Sequence, residues 1–243
     1  SNGVVHVNGG TSASPSRAGW IAVDSLTDKG WSVFVNGLHP CDLPPYHCNT
    51  RVHPYCVTDF SYAWGSCDQI TSFPLLDTSN GTNFSGAWYY CTNLQSFPAL
   101  NTSNGTNFSA AWNYCLNLTS FPLIDTSKGT NFSGTWSGCE KLTSFPQLDV
   151  SKGVDFSWSW GACYDLTSFP QLDVSSGTNF GYTWFACDGL TTFPQLDVSS
   201  GTDFTSSWAN CHGLTSFPQL DVSKGTNFFG AWGACDGLTS FPQ

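Results

Sequence analysis

From residue 58 onward, apolar and polar positions follow one pattern with a period of 24 residues. Phe-Pro pairs stand at Phe73, Phe97, Phe121, Phe145, Phe169, Phe193, Phe217 and Phe241. Trp recurs at the same step from Trp64 to Trp232, Cys from Cys67 to Cys235, and a second Phe from Phe60 to Phe228, without one insertion. A fixed period in this range marks a solenoid or array, in which each unit buries its apolar residues only against its neighbours.

The length of the unit narrows the choice. It is too short for a propeller blade or a two-helix repeat and suits a repeat solenoid, leucine-rich-repeat-like, with one short parallel strand, a turn and a short helical or 3₁₀ segment per unit. The strand is expected at Leu142–Phe145 and its copies, ended by a Pro that cannot donate to a ladder. The turn is expected at Asp149–Gly153, where Asp and Ser bond their own backbone and Gly takes positive φ. The helical or 3₁₀ segment is expected over Phe156–Cys163, because Phe156, Trp160 and Cys163 fall at i, i+4 and i+7 and share one inward face. The Thr-Ser pairs of the strand, Thr71-Ser72 to Thr239-Ser240, form hydroxyl ranks. Alternation along a strand would leave only one rank outward, which argues against ice binding.

The chain before the array obeys other rules. Residues 1–38 read as a small α/β N-terminal cap: strand-like Val4–Val7, an amphipathic helix over Ala18–Leu26, and a strand over Trp31–Val35. Such a unit would cover the open end of a repeat core. Residues 39–57 form a Cys/His-rich stretch in register with the array, a divergent first coil, and 58–243 are the tandem repeats. Cys41, His47, Cys48, His53 and Cys56 invite a zinc reading, although their spacings match no common finger. A disulfide between two of the three cysteines is the alternative if the chain is secreted.

Composition alters the picture in three ways. Charged residues are only 10% of the chain and aromatics 16%, which excludes a disordered chain. The net charge of -10 disfavours nucleic acid, and no apolar run approaches the ~20 residues of a transmembrane segment. The array cysteines, one per unit, have side chains about 4.8 Å apart, too far for mutual disulfides, so Cys67 to Cys235 are expected to be a ladder of buried free thiols.

The run Leu76 to Leu94, Leu-Asp-Thr-Ser-Asn-Gly-Thr-Asn-Phe-Ser-Gly-Ala-Trp-Tyr-Tyr-Cys-Thr-Asn-Leu, resembles the BspA-like leucine-rich repeat of bacterial and protist surface proteins. The Asp-Thr-Ser-Asn turn, the Thr-Asn-aromatic step and the Cys before the next Leu carry the resemblance, which extends over 58–243. Phe and Trp stand where that family more often has Met and Phe, and the Phe-Pro is a further departure. The resemblance implies a non-enzymatic adhesive protein exposed outside the cell, on a cell surface or on a virion. Its implied partner is a cell-surface glycan or protein.

Because the units align with one another, variable positions can be read as solvent-facing. Aromatics at Tyr62, Tyr89, Tyr90, Tyr114, Trp158, Tyr164, Tyr182, Phe185 and Phe229 replace small residues found in other copies. Of these Tyr89, Tyr90, Tyr114, Trp158, Tyr182 and Phe185 are the candidate ligand-binding platform, since Tyr and Trp give large contact area at low entropy cost. Packing over the edge of the fold is the plainer alternative.

Asp77, Asp125, Asp149, Asp173, Asp197 and Asp221 form a row that local backbone amides can cap. Calcium bridging, centred on Asp149, Asp173 and Asp197, is the alternative. Asn80 and Asn104 are the best-placed glycosylation sequons, and the Asn83 series reads as a hydrogen-bonding ladder. No catalytic constellation stands out, and no other cofactor is implied. The chain stops just after Phe241, mid-unit and without a polar cap, so end-to-end self-association into a filament is the alternative architecture.

Overall fold

A computed structural model describes residues 57–241 together with two short strands, β1 (Val4–Val7) and β2 (Ser32–Val35). The strands pair in parallel, Val4 opposite Ser32 and Val7 opposite Val35, where the sequence placed two strands. The helix expected between them and the whole of 39–56, with Cys41, His47, Cys48, His53 and Cys56, lie outside the described residues.

Residues 57–241 form a repeat protein, mostly non-helical and poor in regular strands, whose units bond to one another at the 24-residue step. Parallel bridges run in an unbroken column from Asp59 through Asn83, Asn107, Asn131, Asp155, Asn179 and Asp203 to Asn227. The strand was expected elsewhere. At Leu142–Phe145 and its copies only Ser72 and Ser96 form a bridge. The Pro after each Phe removes a donor at the end of that segment, whereas the Thr-Asn-Phe step keeps all of its amides. Thr106, for example, donates its N–H to the Thr82 carbonyl one unit back, and Phe108 donates to the Asn131 carbonyl of the next unit. Both residues of each Thr-Ser pair are exposed, so two hydroxyl ranks face outward where alternation predicted one.

The segment expected to be helical is a succession of tight turns. Phe156, Trp160 and Cys163 do point inward and are fully buried. Between them, however, amides alternate in their partners. Phe156, Trp158, Trp160 and Ala162 donate to Asn179, Gly181, Thr183 and Phe185 of the next unit, while Ser159, Gly161 and Cys163 bond three residues back. Two residues per unit take left-handed φ to make this possible, Trp158 (φ 60) and Ala162 (φ 57) in this one. A helix would satisfy its amides internally; here half of them stitch neighbouring units together.

The core is three aromatic ladders. The indoles from Trp64 to Trp232 stack with centroids 5.0–6.0 Å apart. The rings from Phe60 to Phe228 stack at 5.3–5.7 Å. The Phe-Pro rings stand nearly perpendicular to the indoles, as Phe97 does to Trp88, with centroids 4.7 Å apart at 77°. Such edge-to-face pairs add to simple area burial. From Trp88 to Trp232 the indole N–H groups have no hydrogen-bond acceptor, so stacking and burial offset their desolvation. Glycine is required at Gly105 and its copies, Gly153 among them, for room and not for the positive φ expected of the turn, which none of them takes: a Cβ on Gly105 would stand 2.4 Å from the Phe108 ring.

The cysteine ladder departs from its expectation at both ends, Cys235 being only half-buried and Cys67 not free. Cys91, Cys115, Cys139, Cys163, Cys187, Cys211 and Cys235 are free, but Cys67 is disulfide-bonded, to a partner outside the described residues. Parallel stacking keeps the array thiols apart from each other, as the unit spacing required, yet it leaves the first of them open to chain from outside the array. Nor are the free thiols only apolar fillers. Cys115 Sγ donates to the Trp88 carbonyl at 3.3 Å, and every free thiol repeats this bond one unit along.

Candidate functional site

The polar columns are occupied by the fold itself. Asp149 Oδ1 accepts from Ser151 N–H (3.1 Å) and Ser151 Oγ (2.7 Å), Asp173 holds Ser175 in the same way, and Asp197 Oδ1 accepts from Ser199 N–H. The Ser151 hydroxyl, then its amide, hold the Asp149 carboxyl below its usual range, and Asp125 and Asp197 behave alike. Among the described residues no group of three or more His, Cys, Asp or Glu could hold a metal ion. The Asn column is a ladder in part: Asn83 donates its amide to Asp59 Oδ1 at 3.0 Å while its own Oδ1 caps Ser85 N–H.

Of the two sequons, Asn104 is engaged on both sides. Its Nδ2 donates to the Ser79 carbonyl at 2.8 Å and its Oδ1 accepts from Lys128 Nζ at 2.7 Å. Asn80 is exposed. His212, the one histidine of the array, sits with Nδ1 2.8 Å from Asp188 Oδ1, and that hydrogen bond raises its pKa; both side chains are exposed.

The variable aromatics gather into two platforms on the turn side of the stack. In the first, Tyr62 meets Tyr89 at 6.3 Å, Tyr89 meets Tyr90 at 4.7 Å, and Tyr90 meets Tyr114 at 4.7 Å, a ribbon across three units. In the second, Trp158 and Tyr182 lie face to face at 4.3 Å and Phe185 closes a triangle at 5.5 and 5.6 Å. All six candidate residues are brought into these platforms, and Tyr62 joins them. Tyr62 remains 55% exposed and Trp158 39%. Tyr164 and Phe229 are exposed as well.

Five of these aromatics sit at left-handed φ: Tyr62 (52), Tyr90 (58), Tyr114 (57), Trp158 (60) and Tyr182 (58). Bulky residues rarely adopt that conformation, which costs roughly 1–2 kcal/mol per residue relative to Gly. The same two columns hold Gly86, Gly134, Gly138 and Gly230 in other units, all at positive φ. Two of the rings also need a glycine in the next unit: a Cβ on Gly86 would lie 2.5 Å from the Tyr62 ring, and one on Gly138 2.9 Å from the Tyr114 ring. This strain escaped the sequence reading. Glycine alternating with Tyr or Trp in one column was the signal that could have exposed it.

Charge leaves this face empty. In the columns of Ser61, Tyr62, Gly65 and Ser66 not one of the eight units carries a charged residue. Burial, then the neighbouring Tyr90, Tyr114 and Tyr62 hydroxyls, raise the Tyr89 phenol pKa. No protein-family model, no curated protein and no solved structure matches the chain. Among the described residues no helix is long and apolar enough to cross a membrane.

Proposed function

We propose that this chain is a leucine-rich-repeat-like solenoid related to the BspA-like surface proteins, acting as an adhesive rod outside the cell or on a virion. Its turn side, bearing Tyr62, Tyr89, Tyr90, Tyr114, Trp158, Tyr182 and Phe185, is the contact face for a cell-surface glycan or protein, and no catalytic step is involved. One observation carries the reading: four large aromatics, Tyr62, Tyr90, Tyr114 and Trp158, are kept exposed, and a fifth, Tyr182, half-buried, at a backbone conformation where glycine would be easier. Core packing does not call for them, because Gly86, Ala110, Gly134, Ser206 and Gly230 fill the Trp158 column in other units.

The experiment is adhesion of beads coated with the protein to cells. Replacing Tyr90, Tyr114, Trp158 and Tyr182 together by Gly, which relieves the left-handed strain as it removes the rings, should remove adhesion while the far-ultraviolet spectrum holds. Undiminished adhesion of that variant would overturn the lateral-face assignment.

A further inference from the structure

We infer that the occupant of this face is a single neutral glycan chain lying along the stack and touching both aromatic platforms at once. The inference rests on the lateral-face reading and names its ligand. The protein carries a net charge of -10, yet the four columns that build the face are uncharged throughout. An anionic chain would be repelled by the molecule as a whole. A cationic partner would be drawn instead to the Asp77–Asp221 column. A folded protein would find no charged group within these columns to fix its register, only the acidic Glu140 and Asp188 that flank Tyr164 beside them. A neutral polyhydroxylated chain meets none of these obstacles.

The rings suit that occupant. Tyr and Trp present an apolar body with a polar tip, which matches sugar rings that carry C–H patches beside hydroxyls. The Trp158–Tyr182 pair, only 4° from parallel, forms one ledge instead of two separately mobile rings, so little side-chain freedom remains to be lost on binding. Between the platforms the fourth unit has Gly138 where the third has Tyr114, and Gly134 where the fifth has Trp158. Tyr114 and Trp158 therefore stand two units apart, about 10 Å at the usual ~4.8 Å spacing of paired chains. A polymer of repeated rings can span that interval, and its second contact then forms at high effective concentration.

The test is calorimetric titration with neutral hexose oligomers of stepwise increasing length, and with acidic uronate oligomers of the same lengths. Affinity should rise about tenfold or more once an oligomer reaches across the fourth unit. Trp158→Ser and the pair Tyr90→Ser with Tyr114→Ser should each abolish that step while leaving the weak binding of short oligomers to the intact platform. The uronates should bind at least about tenfold more weakly than the neutral chains. Affinity independent of length, or uronates binding as tightly, would overturn the inference. If no neutral oligomer binds while aromatic-dependent adhesion to cells survives glycosidase treatment, the partner is a protein: the inference falls and the lateral-face reading stands. If the aromatic substitutions affect neither oligomers nor cells, both fall.

Discussion

The Trp158 and Tyr182 rings lie face to face at 4.3 Å although both residues hold left-handed φ, 60 and 58. Stacking thus recovers part of what the backbone loses. Trp158→Gly removes the ring and the strain together, so its net effect on stability should stay within about 1.5 kcal/mol. Ala162→Gly, four residues away at φ 57, relieves strain without losing a ring and should raise stability by about 1 kcal/mol. Denaturant unfolding of the two variants checks both values.

The indole ladder couples each unit to two neighbours. Trp136, fully buried, stacks at 6.0 Å on Trp112 and 5.4 Å on Trp160. Trp136→Ala should cost about 3–5 kcal/mol and, in a linear stack, divide the cooperative unit. Hydrogen exchange should then show faster amide exchange centred on the units of Trp112, Trp136 and Trp160, with the units near Trp208 least affected.

Residue periodicity made the unit length, the three aromatic ladders and the inward face of the turn segment legible before any coordinates. It could not assign the local backbone. An i, i+4, i+7 pattern is produced equally by a helix and by turns whose amides alternate between units, and only the hydrogen-bond partners separate them. The strand was misplaced for a similar reason, since Leu142–Phe145 and the Asn131 step both alternate polar and apolar residues and only one keeps its donors free of proline. The two exposed Thr-Ser ranks follow from that misplacement. Variation among copies did find the platform residues, because a solvent-facing column tolerates change. Cys67 looked identical to its copies in sequence, and its disulfide depends on chain outside the repeat.

Alkaline pH should unfold this protein sharply. Burial pushes the Cys91 thiol up to about 11 and Cys163 and Cys211 up to about 12 from an ordinary 9.0, against the opposing effect of backbone hydrogen bonds. The folded state therefore keeps its protons after the unfolded chain would lose them. Stability is full below the unfolded pKa and falls as pH rises through and beyond it, by about 1.4 kcal/mol per pH unit for each thiol. Unfolding followed between pH 8 and about 11 checks the slope, and Cys139→Ala with Cys163→Ala should make it shallower. Disulfide exchange reagents should leave the six buried free thiols, Cys91 to Cys211, unmodified at pH 8 until the chain unfolds, with half-buried Cys235 reacting first.

Acid acts on the other side of the molecule. Asp149 is held below its usual pKa by Ser151, so its contribution is present above the unfolded value and lost as pH falls through the folded one. Ser151→Ala should raise the Asp149 pKa and destabilise the protein at pH 7, with no difference left once both carboxylates are protonated. Carboxyl-carbon NMR titration follows the residue directly.

The claim that the turn side meets the partner is tested most directly by hydroxyl-radical footprinting of the protein free and bound to target cells. Tyr90, Tyr114 and Trp158 should lose oxidation on binding, while Leu75 and Leu123, exposed outside the turn segment, should be oxidised equally in both states. Protection of Leu75 and Leu123 with unchanged oxidation of Trp158 would contradict the account.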